Sequence, residues 1–331
     1  MQYGSIPDSA KPVSRIVYGC DRLDRAGLSR LDEAFARGIN AFDTARIYGR
    51  SELVLGNWMR AHGVREDVYV ITKGGHPRAP DRPRAVRDEI HRDLDQSLRD
   101  LRTDYVDLYL MHYDAPELAP EAVLEIMDGI KVSGKAKAVG VSNVCLQRLR
   151  AIQSDAVHLG RTQFSAVSLQ FSLPVLNEPM WTWPGSISIG GEAGRGARQW
   201  YASQRLPVFA YSCLGRGFFS EAYWSGINPP EQGMQKPRPG SQTDLRWLRS
   251  LFESSDNLER YSRAKQLAAR KGVTPAQLGI SYVFASGMEV FAILSWSSAA
   301  RCNENIAGLE CVVSPAERDW LELASHGKAL V

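Results

Sequence analysis

Residues 38–56 read GINAFDTARIYGRSELVLG, and this stretch decides the fold. Asn40–Asp43 is a short strand-like run that ends on a carboxylate, and Tyr48 follows within a few residues. Glu52–Ala61 then carries Leu55, Trp58 and Met59 on one face at helical spacing. The unit is a strand, a polar turn and an amphipathic helix, with its chemistry-bearing side chains near the strand's end. The same unit precedes it. Arg15–Tyr18 is a short apolar run, and Leu28, Leu31 and Phe35 recur with a helical period until Gly38, a residue suited to a helix C-terminus.

The unit also recurs downstream. Val68–Lys73 leads into a helix carrying Val86, Ile90, Leu94, Leu98 and Leu101. Val106–His112 precedes one with Val123, Met127 and Ile130, and Ala138–Ser142 precedes one with Leu146, Leu149 and Ile152. Val167–Phe171, Pro207–Ser212 and Val290–Leu294 bring the count to eight strands. VDLYLMH, PVFAYS and VFAIL are continuous apolar runs, the mark of strands buried on both faces. Such alternation predicts a parallel sheet, and eight repeats predict closure into a (β/α)8 TIM barrel, an α/β domain spanning residues 1–331. Capping boxes at Thr274–Gln277 and Ser314–Glu317 place the starts of two late helices. Two stretches, 172–196 and 221–256, are long Gly/Pro-punctuated connections after strands, predicted to be binding loops on the active-site face.

Composition narrows the function. The chain has 40 basic and 37 acidic residues, a net charge of +3, which is too balanced for a nucleic-acid-binding surface. The arginines between Arg78 and Arg92 are interrupted by acids and read as a solvated face. No run approaches the ~20 apolar residues of a membrane span. MQYGSIPDSAKPVSR lacks the apolar core of a signal peptide, so a cytoplasmic location is expected. Cys20, Cys145, Cys213, Cys302 and Cys311 never form C-x-x-C, and the six histidines (His62, His76, His91, His112, His158, His326) never pair at ligand spacing. Neither a structural zinc nor a metal-dependent hydrolase is indicated.

Asp43, Tyr48, Lys73 and His112 fall at or just past successive strand ends, which converge on one face of a barrel. Reducing a carbonyl needs hydride on carbon and a proton on oxygen. A phenol titrating near ~10 is a poor acid, but a nearby ammonium favours its anion and eases proton release. Lys73 is suited to that task, Asp43 would keep Lys73 charged, and His112 could hydrogen-bond the substrate oxygen. In residue type, order and spacing this set resembles the aldo-keto reductase superfamily, and the resemblance runs from Ser14 to about Leu323. It implies NADPH-dependent reduction of an aldehyde or ketone to an alcohol. The roles implied are Tyr48 as acid–base, Lys73 and Asp43 as its tuners, and His112 as orienter.

No G-x-G-x-x-G follows a strand, so a Rossmann domain is not indicated, and the cofactor is expected across the barrel mouth. The resemblance gives Ser142, Asn143 and Gln170 to the nicotinamide amide, and Tyr211 to stacking on the ring. It gives Ser212, Leu214, Arg216 and Gly217 to the pyrophosphate, with Cys213 where the family usually has proline. In ILSWSSAARCNENIAGL, Ser297 or Ser298 can cap a short helix whose N-terminus favours an anion. Arg301, Glu304 and Asn305 share one helical face, and the guanidinium suits the adenosine 2′-phosphate. Ser295 and the bulky Trp296 stand where the family often has glycine or lysine and a small residue. Trp181, Trp183, Tyr113, Trp224 and Phe218 are candidates for a partly aromatic substrate pocket. A second expectation is a regulatory or redox-sensing subunit that binds the cofactor with negligible turnover.

Overall fold

Strands that are apolar on both faces need cover on both faces, and closing them into a ring supplies it without leaving an edge. In the computed structural model eight parallel strands do close, each paired with the next along the chain and the last with the first. They are β3 (Ile16–Gly19), β4 (Ala41–Asp43), β5 (Tyr69–Gly74), β6 (Val106–Met111), β7 (Ala136–Ser142), β8 (Ala166–Gln170), β9 (Val208–Tyr211) and β10 (Val290–Leu294). The structure describes all residues except 22, 24–26, 78–86, 181–184, 220–222, 224–244 and 326–331. Val86, Trp181, Trp183, Trp224, His326 and the first arginines of the 78–92 stretch therefore lie outside the described residues.

The chain divides into two compact units. The first comprises Met1–Leu169, Gln204–Tyr211 and Glu289–Cys302, and it contributes nearly all the barrel strands. Its interior is built from Val17, Ala41, Tyr69, Ile71, Leu108, Leu110, Ala138, Ala166, Phe209 and Phe291. Ile6 and Val13 join this cluster. They come from the N-terminal segment containing an antiparallel hairpin of β1 (Tyr3–Gly4) and β2 (Val13–Ser14), which sequence periodicity did not reveal. Ala41 and Tyr69 are the first residues of their strands, so the hairpin segment packs at the end where the strands begin, leaving the opposite end for chemistry.

Local signals fall where the sequence puts them. The helix Leu28–Ala36 stops at Gly38, whose φ of +82° needs a residue without a Cβ. Gly38 N–H donates to Phe35 O at 2.9 Å and Ile39 N–H to Ala34 O at 3.0 Å, satisfying carbonyls of the last turn. Gly74 has a different reason. A Cβ there would stand 1.9 Å from the Tyr109 hydroxyl, so the end of β5 can pass Tyr109 only as glycine.

The second unit comprises Gln170–Ser203, Ser212–Met288 and Asn303–Val331. Both expected capping boxes are present there, at Thr274/Gln277 and Ser314/Glu317. A buried ion pair of Arg198 with Glu322, at 2.9 Å, is completed by the Tyr282 hydroxyl donating to Glu322 at 2.8 Å. Phe218 is fully buried and meets the rings of Phe219, Tyr223, Phe252 and Tyr261. It fills the core of this unit rather than lining a pocket.

Candidate active site

Alternation along a strand sends neighbouring side chains to opposite faces, so a residue near a strand's C-terminal end can face the barrel interior at its mouth. Asp43 ends β4, and Lys73 is the penultimate residue of β5. Their strands pair in parallel, which brings the two side chains together. Lys73 Nζ donates to Asp43 Oδ1 at 2.6 Å, to Asp43 Oδ2 at 2.7 Å and to Thr44 O at 2.9 Å. These three acceptors use all the donors of an ammonium that is 3% exposed. Burial pushes the Asp43 carboxyl up, and the Lys73 charge with its two hydrogen bonds opposes that shift.

Tyr48 lies in the turn after β4, half-buried, with Lys73 Nζ 5.2 Å from its ring centroid. His112 follows β6 directly, and its N–H donates to Gly74 O at 2.9 Å, continuing the ladder one residue past Met111. The Tyr48 and His112 rings meet edge to face at 5.9 Å. Burial, then the charges of Lys73 and His76, push the His112 imidazole well below its ordinary range. It is therefore neutral at neutral pH. Its Nδ1 is buried with no hydrogen-bond partner among the described residues.

Tyr113 stacks on His112 at 5.3 Å and is nearly buried, and burial with the neighbouring Tyr48 raises its phenol well above the ordinary value. His76 packs edge-on to both His112 and Tyr113, at 4.9 and 5.1 Å. Sequence reasoning used His76 only to exclude a metal. Its place three residues after Lys73, still near the end of β5, was the signal available.

Ser142 ends β7, and Asn143 follows it with a left-handed φ of +53°. Ser142 Oγ donates to Ser168 O at 3.1 Å. Asn143 Nδ2 donates to Ser142 Oγ at 3.1 Å and to His112 O at 3.4 Å. Asn143 Oδ1 accepts from the Tyr211 hydroxyl at 2.5 Å. Tyr211 ends β9 half-buried, so one amide links the ends of β6, β7 and β9. After β10, Ser295 and Ser297 are exposed, Trp296 is buried against Tyr18 with ring centroids 4.7 Å apart, and Arg301 is exposed. Ser298 is the capping hydroxyl of the helix Ala299–Ala307, accepting from Arg301 N–H at 3.4 Å.

Within the second unit, Gln170 is fully buried, donating to Ser172 Oγ at 2.8 Å and accepting from Ser188 Oγ at 2.5 Å. Ser212 and Arg216 have left-handed φ values of +54° and +52°. Non-glycine residues held there cluster at functional sites. Arg216 Nε donates to Met180 Sδ at 3.3 Å, while Leu214 is half-buried, Cys213 buried and Gly217 exposed. Glu304 accepts from Thr274 Oγ1 at 2.8 Å, and Asn305 is 4% exposed. None of the five cysteines forms a disulfide, and no cluster that could hold a metal occurs among the described residues.

A closed parallel barrel with a buried lysine–aspartate pair beside a tyrosine at its strand ends places the protein among barrel proteins that work at that face. The model of the Aldo/keto reductase family matches residues 24–322. The chain belongs to that family and is, by that membership, an oxidoreductase. It is 24% identical over 319 residues to the Schizosaccharomyces pombe aldo-keto reductase yakc [NADP(+)], covering 92% of this chain and 86% of that one. It is 27% identical over 353 residues to the protein tas of Escherichia coli, covering 95% and 94%. A solved thermostable aldo-keto reductase, Tm1743, in complex with the inhibitor epalrestat, superposes with a TM-score of 0.69 at 20% identity. The superposition covers 98% of this chain and 100% of that one. No helix among the described residues is long and apolar enough to cross a membrane.

Proposed function

We propose that the protein reduces an aldehyde or ketone to an alcohol with NADPH, Tyr48 giving the proton to the substrate oxygen. The observation that carries this is the Lys73 ammonium, pinned by Asp43 and Thr44 and lying 5.2 Å from the Tyr48 ring. A fixed positive charge there favours the phenolate and makes Tyr48 a better acid at neutral pH. His112, kept neutral by burial and by neighbouring positive charge, can hydrogen-bond the carbonyl oxygen without competing for its proton.

The residues present fit a nicotinamide dinucleotide. Ser142 and Asn143 are donor–acceptor side chains already locked in place, and Tyr211 offers an aromatic face beside them. Ser295, Ser297 and Arg301 are exposed hydroxyls and a guanidinium, a donor set suited to a phosphate ester. NADP(+) appears in the name of the yeast relative, which supports the same choice. Gln170, Ser212, Leu214, Arg216, Gly217, Glu304 and Asn305 keep the cofactor roles that the family resemblance implies. When bound, the reduced nicotinamide supplies hydride from C4. A partner that is a small carbonyl compound and a cytoplasmic setting complete the reading, the latter in keeping with five cysteines that form no disulfide.

Purified protein mixed with NADPH and a panel of aldehydes, ketones and sugars tests this through loss of the reduced-nicotinamide absorbance. Turnover supports it. Tight NADPH binding with no turnover across the panel replaces it with the regulatory-subunit reading.

A further inference from the structure

Tyr48 sits in a turn, whereas Lys73 sits in a strand, so something must hold the turn in register with the strand. Backbone bonds do part of this. Thr44 N–H donates to Ile71 O at 2.8 Å and Arg46 N–H to Lys73 O at 2.9 Å, extending the β4–β5 ladder past Asp43. Beyond Arg46 the chain folds back on itself, with Tyr48 N–H donating to Ala45 O at 2.9 Å and Ser51 N–H to Tyr48 O at 3.1 Å. Ile47, beside Tyr48, is 49% exposed, so apolar packing does not anchor the tip of this turn.

Resting on the functional reading above, we propose that Arg46, Glu52 and Asp100 form a clamp of positioning residues that sets Tyr48 relative to Lys73. Arg46 Nη1 donates to Glu52 Oε2 at 2.5 Å and to Asp100 Oδ2 at 2.6 Å. Glu52 lies in the first turn of the helix Ser51–His62, and Asp100 in the last turn of the helix Arg87–Leu101. The other Glu52 oxygen, Oε1, accepts from Thr72 Oγ1 at 2.6 Å. Thr72 and Lys73 are consecutive in β5 and point to opposite faces. One face carries the bond to Glu52 and the other the bond to Asp43. A single carboxylate therefore holds both the turn that carries the acid and the strand that carries its ammonium.

Glu52 is 1% exposed, and burying charge in this way contributes little net stability compared with apolar packing. A network that gains little stability but fixes three elements against one another serves geometry. Displacing an acid by about 1 Å can lower a rate by as much as ~100-fold.

The test compares Arg46→Met, Arg46→Lys and Asp100→Asn with the wild type. It uses steady-state carbonyl reduction, NADPH affinity by fluorescence, and amide hydrogen exchange over residues 45–48. Arg46→Met should lower kcat by roughly 10–100-fold and leave NADPH affinity and carbonyl KM within about twofold. Arg46→Lys should recover much of that loss, because one nitrogen meets both carboxylates and an ammonium can replace it. Exchange over 45–48 should rise in Arg46→Met. Should Arg46→Met fail to fold, Asp100→Asn, altered at the more exposed partner, must show a lower kcat with faster exchange. Unchanged kcat in both variants, unchanged exchange, or kcat falling in step with NADPH affinity would overturn the clamp. A wild type that reduces no carbonyl would instead overturn the functional reading, and the exchange data would still decide the clamp.

Discussion

Replacing Lys73 with methionine separates the two tasks assigned to that residue. Its ammonium gives three short hydrogen bonds, and the side chains of Lys73 and Asp43 are 3% and 5% exposed. Lys73→Met leaves a buried carboxylate without its partner, a change that typically costs about 3–5 kcal/mol of stability. Adding Asp43→Asn removes that stranded charge and should return part of the loss. Activity should respond differently. A unit charge at the 5.2 Å separating Lys73 Nζ from the Tyr48 ring centroid interacts with a phenolate by roughly 3 kcal/mol at an effective dielectric of about 20. Tyr48 is half-buried, so solvent screening lowers this to roughly 1.4–2.7 kcal/mol, or about 10–100-fold in kcat. The assay pairs equilibrium unfolding in urea with NADPH-dependent reduction for both variants. Lys73→Met should lose stability and turnover, and Lys73→Met/Asp43→Asn should regain stability alone. A Lys73→Met protein with wild-type kcat, or a double variant that regains turnover, would refute the reasoning.

Two further outcomes follow from the same geometry. Arg301→Ala should weaken NADPH by about 1.5 kcal/mol, roughly tenfold, as one charged hydrogen bond is lost, with NADH nearly unaffected. Isothermal titration with each cofactor checks this, and equal weakening of both would move the 2′-phosphate elsewhere. His112 has a folded-state pKa depressed below the ordinary value of 6.5. Its neutral form thus contributes stability that is fully present above pH ~6.5 and is lost as pH falls toward the folded pKa. Between pH 6.5 and 4.5 unfolding free energy should fall more steeply in the wild type than in His112→Phe, by up to about one proton. Parallel pH profiles would mean that the imidazole titrates normally.

Much of the barrel was legible because a strand covered on both faces cannot hide its composition. VDLYLMH and VFAIL fell within a residue of β6 and β10. Strand ends were less exact, and each has a local cause. The run Pro207–Ser212 is trimmed to Val208–Tyr211 because Pro207 has no N–H and Ser212 adopts a left-handed φ of +54°. Asp43, Tyr48, Lys73 and His112 could be read as one candidate set because each lies at or just past the end of a predicted strand. Coupling between distant side chains could not. The Asn143–Tyr211 bond spans 68 residues and the Arg46–Asp100 bond 54. An aspartate late in an amphipathic helix reads as solvated, and its partner is named only by the packing of helices around the barrel. Phe218 shows the limit from the other side. An aromatic following a cofactor-type loop looks like a pocket wall, and its burial among four rings is a property of tertiary packing alone.

The most direct measurement is turnover and NADPH affinity of Tyr48→Phe, a change that removes one oxygen and keeps the ring beside His112. Loss of general acid catalysis should lower kcat by ~100-fold or more, with NADPH bound as tightly as by the wild type. A Tyr48→Phe protein that still reduces carbonyls at the wild-type rate would show that another group delivers the proton.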